Sequence, residues 1–199
     1  MRLLIVLAAY SLSVHLSVAL ERPGIALGVL SLLLIVGLRP LLRKPSWAAW
    51  LSLAAWLLAA GALLQLDRGQ LLLYGPPVLY PLAAVIFFGR SLLPGRTALL
   101  TRIAELMHDD LTPRRRWYTR RATQAWTLFF AALGLEAVLL GLFAPPRIWS
   151  LFTNLINYLL IAGFFLGEFL VRRRHFEDQR RLGLSGFIRA LARVDMREV

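Results

Sequence analysis

Apolar residues run in six blocks along the chain, at 3–20, 25–38, 46–66, 71–89, 125–144 and 148–171. Most approach the ~20 residues a helix needs to cross a bilayer core. The second block is short and reads alone as a re-entrant or buried segment; Leu41 and Leu42, beyond Arg39-Pro40, extend it to spanning length. The fold class expected is all-α, an integral membrane bundle of about six transmembrane helices with cytoplasmic amphipathic helices. Helices 1–4 fall in 1–89 and helices 5–6 in 125–171, leaving a basic segment at 90–124 and a basic tail at 172–199.

The segment 90–124 carries a helical pattern of its own. Leu99, Leu100, Ile103, Leu106, Met107 and Leu111 recur at helical spacing, while Arg102, Glu105 and Asp109 take the other face. Pro94-Gly95 precedes this helix and Thr112-Pro113 ends it. Thr112 is a suitable N-cap and Pro113 a suitable first helical residue, so a new helix is expected to start there and run through Gln124 into the fifth span. In the tail, Ser185 can cap a second basic amphipathic helix with Phe187, Ile188, Leu191 and Val194 on one face and Arg189 and Arg193 on the other.

Composition agrees with a membrane chain: 58% of residues are hydrophobic, 17% are charged, and the mean hydropathy is +0.64. The net charge of +12 would suggest nucleic acid in a soluble protein. Here the positions of the charges explain it. With six spans, 20 of the 23 Lys and Arg fall on the side of the termini, and only Arg22, Arg68 and Arg147 on the other. Basic residues near span ends are retained in the cytoplasm, so both termini are expected there. No aromatic and basic interleaving of an RNA platform is present, and nucleic acid is not an expected partner. The first block also resembles a signal peptide, with Arg2 and the small residues Ser17 and Ala19. Its interruptions by Tyr10, Ser11, Ser13, His15 and Ser17 favour a retained span.

Two groups of residues are candidates for function. Arg114, Arg115 and Arg116 stand in the first turn of a helix, where the positive end of the dipole disfavours them. Asp109 and Asp110 can offset them locally; anionic lipid phosphates can do so from outside, with Arg120 and Arg121 one or two turns on. The plain reading is charge that sets topology, and the functional one is a phosphate or acidic-partner site, with Trp117 and Tyr118 as interfacial anchors under either. The second group is intramembrane: His15, Glu136, Asn154, Asn157 and Glu168. His15 and Glu136 lie at similar depth and can meet. Asn157 is level with Glu136 across the short turn Pro145-Pro146-Arg147, so a hydrogen bond between them is expected. Asn154, Asn157 and Glu168 share a stripe that should face protein, and Glu168 can pair with Arg172 at i+4. These polar groups can either hold helices together or line a pathway. Gly75, Pro76, Pro77 and Pro81 are expected to break or kink the fourth span.

Several chemistries are excluded. The chain has no Cys, hence no disulfide, thiolate nucleophile or Cys-based metal site. It has no phosphate-binding loop, dinucleotide turn, nucleophile elbow or HExxH pair. No cofactor and no metal site is expected. His108-Asp109-Asp110, and His175 with Glu177, Asp178 and Glu168, are the sparse remaining candidates for an interfacial lipid-modifying enzyme.

The stretch FGRSLLPGRTALLTRIAELMHDDLTPRRRWYTRRATQAWTLFF, with IWSLFTNLINYLL and EFLVRRR, resembles a family of uncharacterised bacterial inner-membrane proteins. That family is associated with aryl-polyene or xanthomonadin-type pigment biosynthesis, which resembles fatty-acid synthesis. The similarity covers roughly residues 88–175 and supplies no catalytic residues. It implies the bacterial inner membrane, and an accessory role in synthesis or anchoring of an acyl or aryl-polyene-type lipid. The expected partners are membrane lipids and acidic biosynthetic proteins such as acyl carrier protein, drawn to the arginines by charge; an oligomer is left open. The alternatives are a lipid or acyl-conjugate transporter or flippase, and the interfacial enzyme.

Overall fold

The computed structural model describes residues 2–22, 24–42, 47–66, 70–107 and 111–176. The expected tail helix over 185–194 lies outside these residues, as do His108, Asp109, Asp110, Glu177 and Asp178. The described residues form helices joined by short turns, with no strand among them: α1 (Arg2–Ala19), α2 (Gly24–Leu42), α3 (Trp47–Gln65), α4 (Gln70–Arg90), α5 (Leu99–Met107), α6 (Pro113–Phe143), α7 (Pro146–Leu151) and α8 (Asn157–His175). A π-helical turn, Phe152–Ile156, joins α7 to α8. Among the described residues, four helices are long and apolar enough to cross a membrane: Trp47–Gln65, Leu72–Arg90, Pro113–Phe143 and Pro146–His175. Gly24–Val36 is a shorter apolar helix. The outward faces carry large apolar side chains, with Leu58 74%, Leu128 71% and Leu142 70% exposed. A water-facing surface of that kind is rare, whereas lipid tails solvate it.

The chain forms two compact units, Met1–Leu79 with Glu136–Tyr158, and Tyr80–Leu135 with Leu159–Val199. In the first, Tyr10, Val14 and Val18 recur every four residues on α1 and pack with Ala26 and Leu27 of α2, Leu73 of α4 and Trp149 of α7. The Trp149 ring lies 4.2 Å from that of Tyr74, between centroids. Gly141 of α6 admits this pair, because a Cβ there would stand 3.3 Å from Tyr74 Cδ1. Trp56 Nε1 donates to Ser31 Oγ at 2.9 Å and ties α3 to α2.

The link from α1 to α2 is a Schellman turn: Arg22 N donates to Ser17 O and Glu21 N to Val18 O. Ser17 Oγ then accepts from Ala26 N at 2.7 Å, capping the start of α2. The turn places Glu21 at φ 55, a left-handed conformation that costs an L-residue roughly 1 kcal/mol. Glu21→Gly is expected to raise stability by up to about 1 kcal/mol, read as a higher midpoint of unfolding in detergent. An unchanged or lower midpoint would show that the left-handed backbone stores no strain.

The second unit is built on aromatic contacts. Trp126 and Phe129 of α6 both meet Phe164 of α8, at 4.6 and 4.4 Å between ring centroids, and Phe88 of α4 packs on Phe130. Of the break or kink expected in the fourth span, the break does not occur: α4 stays helical from Gln70 to Arg90 through Gly75, Pro76, Pro77 and Pro81. In lipid no water competes for the backbone groups a proline frees, so a helix persists where it would fray in solution. Pro77 and Pro81 lie four residues apart and are both buried, so the proline face serves packing.

Candidate functional site

In the first unit the intramembrane polar residues assemble around α7 and the π turn. Asn157 is fully buried, and its Nδ2 donates to Glu136 Oε2 at 2.8 Å, the bond expected from their matching depths. His15 Nδ1 lies 3.2 Å from Ser150 Oγ, so the histidine engages α7 and not Glu136. Asn154 is buried and donates to Ser150 O at 3.1 Å, while Thr153 Oγ1 donates to Trp149 O at 2.8 Å. Thr153, Asn154 and Asn157 are all buried, at the spacing that puts them on one helical face with Trp149 and Ser150. Five buried polar atoms here have no hydrogen-bond partner among the described residues: Tyr10 Oη, Ser11 Oγ, Glu136 Oε1, Trp149 Nε1 and Asn157 Oδ1.

In the second unit the basic segment is a folded platform. Leu93-Pro94-Gly95-Arg96 is a turn closed by Arg96 N donating to Leu93 O at 3.1 Å. Gly95 has φ +77, which only glycine adopts readily, and this sets Arg96 at the turn's exit. Ser91 Oγ donates to Phe88 O at 2.6 Å and accepts from Leu99 N at 2.9 Å, clasping the end of α4 to the start of α5. Three buried threonines then lock α5 on α6: the Thr101 and Thr119 hydroxyls share a bond of 2.7 Å, and Leu100 N donates to Thr123 Oγ1 at 3.2 Å. The helical pattern of the sequence located α5 but gave no hint of this lock.

Thr112 caps α6, its Oγ1 accepting from Arg115 N at 3.3 Å. The expected counter-charges Asp109 and Asp110 lie outside the described residues; among those described, Arg116 pairs with Glu105 of α5. Arg120 Nη2 donates to Leu92 O at 3.1 Å, and Arg121 lies over the Trp117 ring at 5.6 Å and donates to Gln124. Arg115 stands 4.8 Å over Phe176, and Arg114 is exposed at the helix start. Four of the five predicted arginines thus have a named contact, Arg115 with Phe176, Arg116 with Glu105, Arg120 with Leu92 and Arg121 with Trp117 and Gln124.

Where α6 passes α8, Arg172 Nη2 bonds both Glu168 oxygens at 2.7 Å. Glu168 is only 9% exposed in its side chain, and Tyr118 Oη donates to it at 3.2 Å. Glu168 therefore joins a buried structural triad, outside the Asn154–Asn157 cluster with which its stripe had associated it. Among the described residues no three of His, Asp and Glu come together as metal ligands.

One feature escaped the sequence reading. A cavity of about 510 Å³ opens beside the end of α4, lined by Ile86, Phe87, Arg90, Arg96, Thr97 and Arg102 among others. In the sequence these three arginines stand six residues apart; Arg102 reads as the polar face of α5, and Arg90 and Arg96 as charge that sets topology. Comparison with protein-family models, with curated proteins and with solved structures returns no match for this chain.

Proposed function

We propose that this chain is a six-span accessory protein of the bacterial inner membrane, with both termini cytoplasmic, that docks anionic lipid or acidic biosynthetic partners on its arginine-rich side. The six spans count α1 and α2 with the four long apolar helices. The observation that carries the reading is the platform of α5 and the start of α6: the Thr101, Thr119 and Thr123 lock and the Arg116–Glu105 pair hold five arginines on one short helical stretch. An ordered array loses less entropy on binding a polyanion than a mobile arginine loop does. With the tail, α5 would present amphipathic faces to the headgroup layer. An acyl carrier protein is a fitting acidic partner, and the family resemblance extends this to support of acyl or aryl-polyene-type lipid synthesis or anchoring.

The test replaces Arg114, Arg115 and Arg116 together by Gln. Binding of the purified protein to anionic vesicles, and recovery of acyl carrier protein at low salt, are expected to fall roughly tenfold or more, with the remainder lost at high salt. Unchanged binding would refute the docking reading. A second reading, a lipid or acyl-conjugate transporter, is favoured by the π turn and by Glu136 Oε1 and Asn157 Oδ1, which have no hydrogen-bond partner among the described residues. Lipid and pigment profiles of the native host separate the two: Glu136→Gln stops export with synthesis intact under the transport reading, and leaves both unchanged under the docking reading.

A further inference from the structure

We propose that Glu136 and Asn157 form a binding site for one monovalent cation, a proton or a sodium ion, where α6 meets the start of α8 inside the membrane. The inference deepens the transport reading, on which its use rests, by naming the ion that such a transporter would couple to.

Two helices and one turn build the site. Glu136 lies seven residues before the end of α6 at Phe143, or roughly 10 Å into the helix. Pro145-Pro146 turns the chain back and brings Asn157 against it, where Asn157 Nδ2 donates to Glu136 Oε2 at 2.8 Å. The remaining oxygens of the two groups, Glu136 Oε1 and Asn157 Oδ1, therefore flank that bond. Both atoms are buried, and both lack a hydrogen-bond partner among the described residues. Asn157 is wholly enclosed, at 0% exposure. The backbone beside it is irregular as well: Asn157 N donates to Phe152 O, five residues back, where an α-helix would use Thr153 O. Irregular helical backbone next to polar side chains is the setting in which intramembrane ion sites are built.

Charge selects the occupant. A carboxyl group in hydrocarbon is tolerated when it is neutralised, by a proton of its own or by a cation beside it. Glu168, the other carboxylate on a spanning helix among the described residues, has Arg172 for that purpose. Glu136 has the neutral amide of Asn157, and no described residue forms an ion pair with it. Away from the helix ends, the other ionisable side chains described in this compact unit are Tyr10, His15, Tyr74 and Tyr158. None of them bonds Glu136, and His15 is turned to Ser150. Two unpartnered acceptors set aside an anion. One carboxyl group balances one positive charge, and among the described residues no three of His, Asp and Glu gather as ligands, which sets aside a divalent ion. Water would satisfy the oxygens and leave the charge, and an organic cation needs more room than two enclosed oxygens give. A proton on Oε1 can donate to Asn157 Oδ1 and so occupy both acceptors with one bond, whereas a sodium ion would take the same two oxygens as ligands.

The experiment uses the full chain purified in detergent and has two arms. For sodium, the unfolding midpoint is measured in sodium chloride against choline chloride at equal ionic strength. For the proton, the infrared absorption of a protonated carboxylic acid is recorded in sodium-free buffer at neutral pH. At least one signal is expected in the wild type: a sodium-specific rise of the midpoint identifies sodium, and an acid carbonyl band identifies the proton. Glu136→Gln keeps an acceptor for Asn157 and removes the acid, so it is expected to abolish the band, or to weaken sodium binding at least about tenfold. Glu136→Asp keeps the acid on a shorter side chain and is expected to retain part of the signal; it stands in if the Gln variant does not fold. Glu168→Gln is expected to leave either signal in place, because that carboxylate already has Arg172. Neither signal in the wild type, or a signal that survives Glu136→Gln in full, overturns the site. If Glu136→Gln removes the signal while lipid export by the host continues, the site stands and the transport reading fails; if that variant stops export but the wild type shows neither signal, the transport reading stands and the site fails.

Discussion

Replacing Glu168 by Ala is expected to destabilise the protein by roughly 3 kcal/mol, measured by unfolding in a mixed-micelle SDS titration. Glu168 takes two bonds from Arg172 Nη2, one from its Nε and one from Tyr118, and its side chain is almost inaccessible. Removing one member of a buried ion pair costs about 3–5 kcal/mol. The low end applies because Arg172 is 18% exposed and can turn toward water or headgroups. Two milder variants separate the contributions. Glu168→Gln keeps an acceptor for Tyr118 and loses the charge, whereas Tyr118→Phe removes one neutral-donor bond worth about 1 kcal/mol. If Glu168→Ala costs no more than Tyr118→Phe, the triad does not hold α6 to α8.

Trp149→Ala should cost a similar amount, about 3 kcal/mol, in the other compact unit. Trp149 is 1% exposed and its ring packs on Tyr74 beside Gly141. Large aromatic-to-alanine changes in water-soluble cores cost about 3–5 kcal/mol. In lipid the transfer of apolar surface contributes little, because the tails are as apolar as the core; lost packing and the cavity remain, which again selects the low end. Trp149→Phe conserves much of the volume and should cost under about 1.5 kcal/mol. The π turn begins three residues later, so the variant also tests what holds that turn. Loss of stability with no change in vesicle binding is the expected pattern, since Arg114, Arg115 and Arg116 belong to the other unit. A stability loss below that of Trp149→Phe would contradict a core role.

Much of the local structure was legible. The start of α6 followed from Thr112 and Pro113, and the extension of α2 to Leu42 from the apolar residues beyond Arg39-Pro40. The Glu168–Arg172 pair followed from i,i+4 spacing, and the Glu136–Asn157 bond from matched depth across a short turn. Each depends on distance along one helix or across one tight connection, quantities that helix geometry fixes. The sequence offered a break or a kink at the prolines of α4, and only the structure shows that the helix is unbroken.

The sequence by itself determined that this is an all-helical chain with apolar segments of bilayer length, where its long helices start, and on which segments arginine is concentrated. Only the tertiary structure decided that Thr101, Thr119 and Thr123 join α5 to α6, that His15 meets Ser150, and that Arg90, Arg96 and Arg102 converge on one cavity. The physical reason is rotational. Apolar blocks in a lipid-soluble helix carry little amphipathic bias, so the pattern fixes where a helix lies but not which way it is turned. That turn is set by close packing and by short polar contacts between residues distant in sequence.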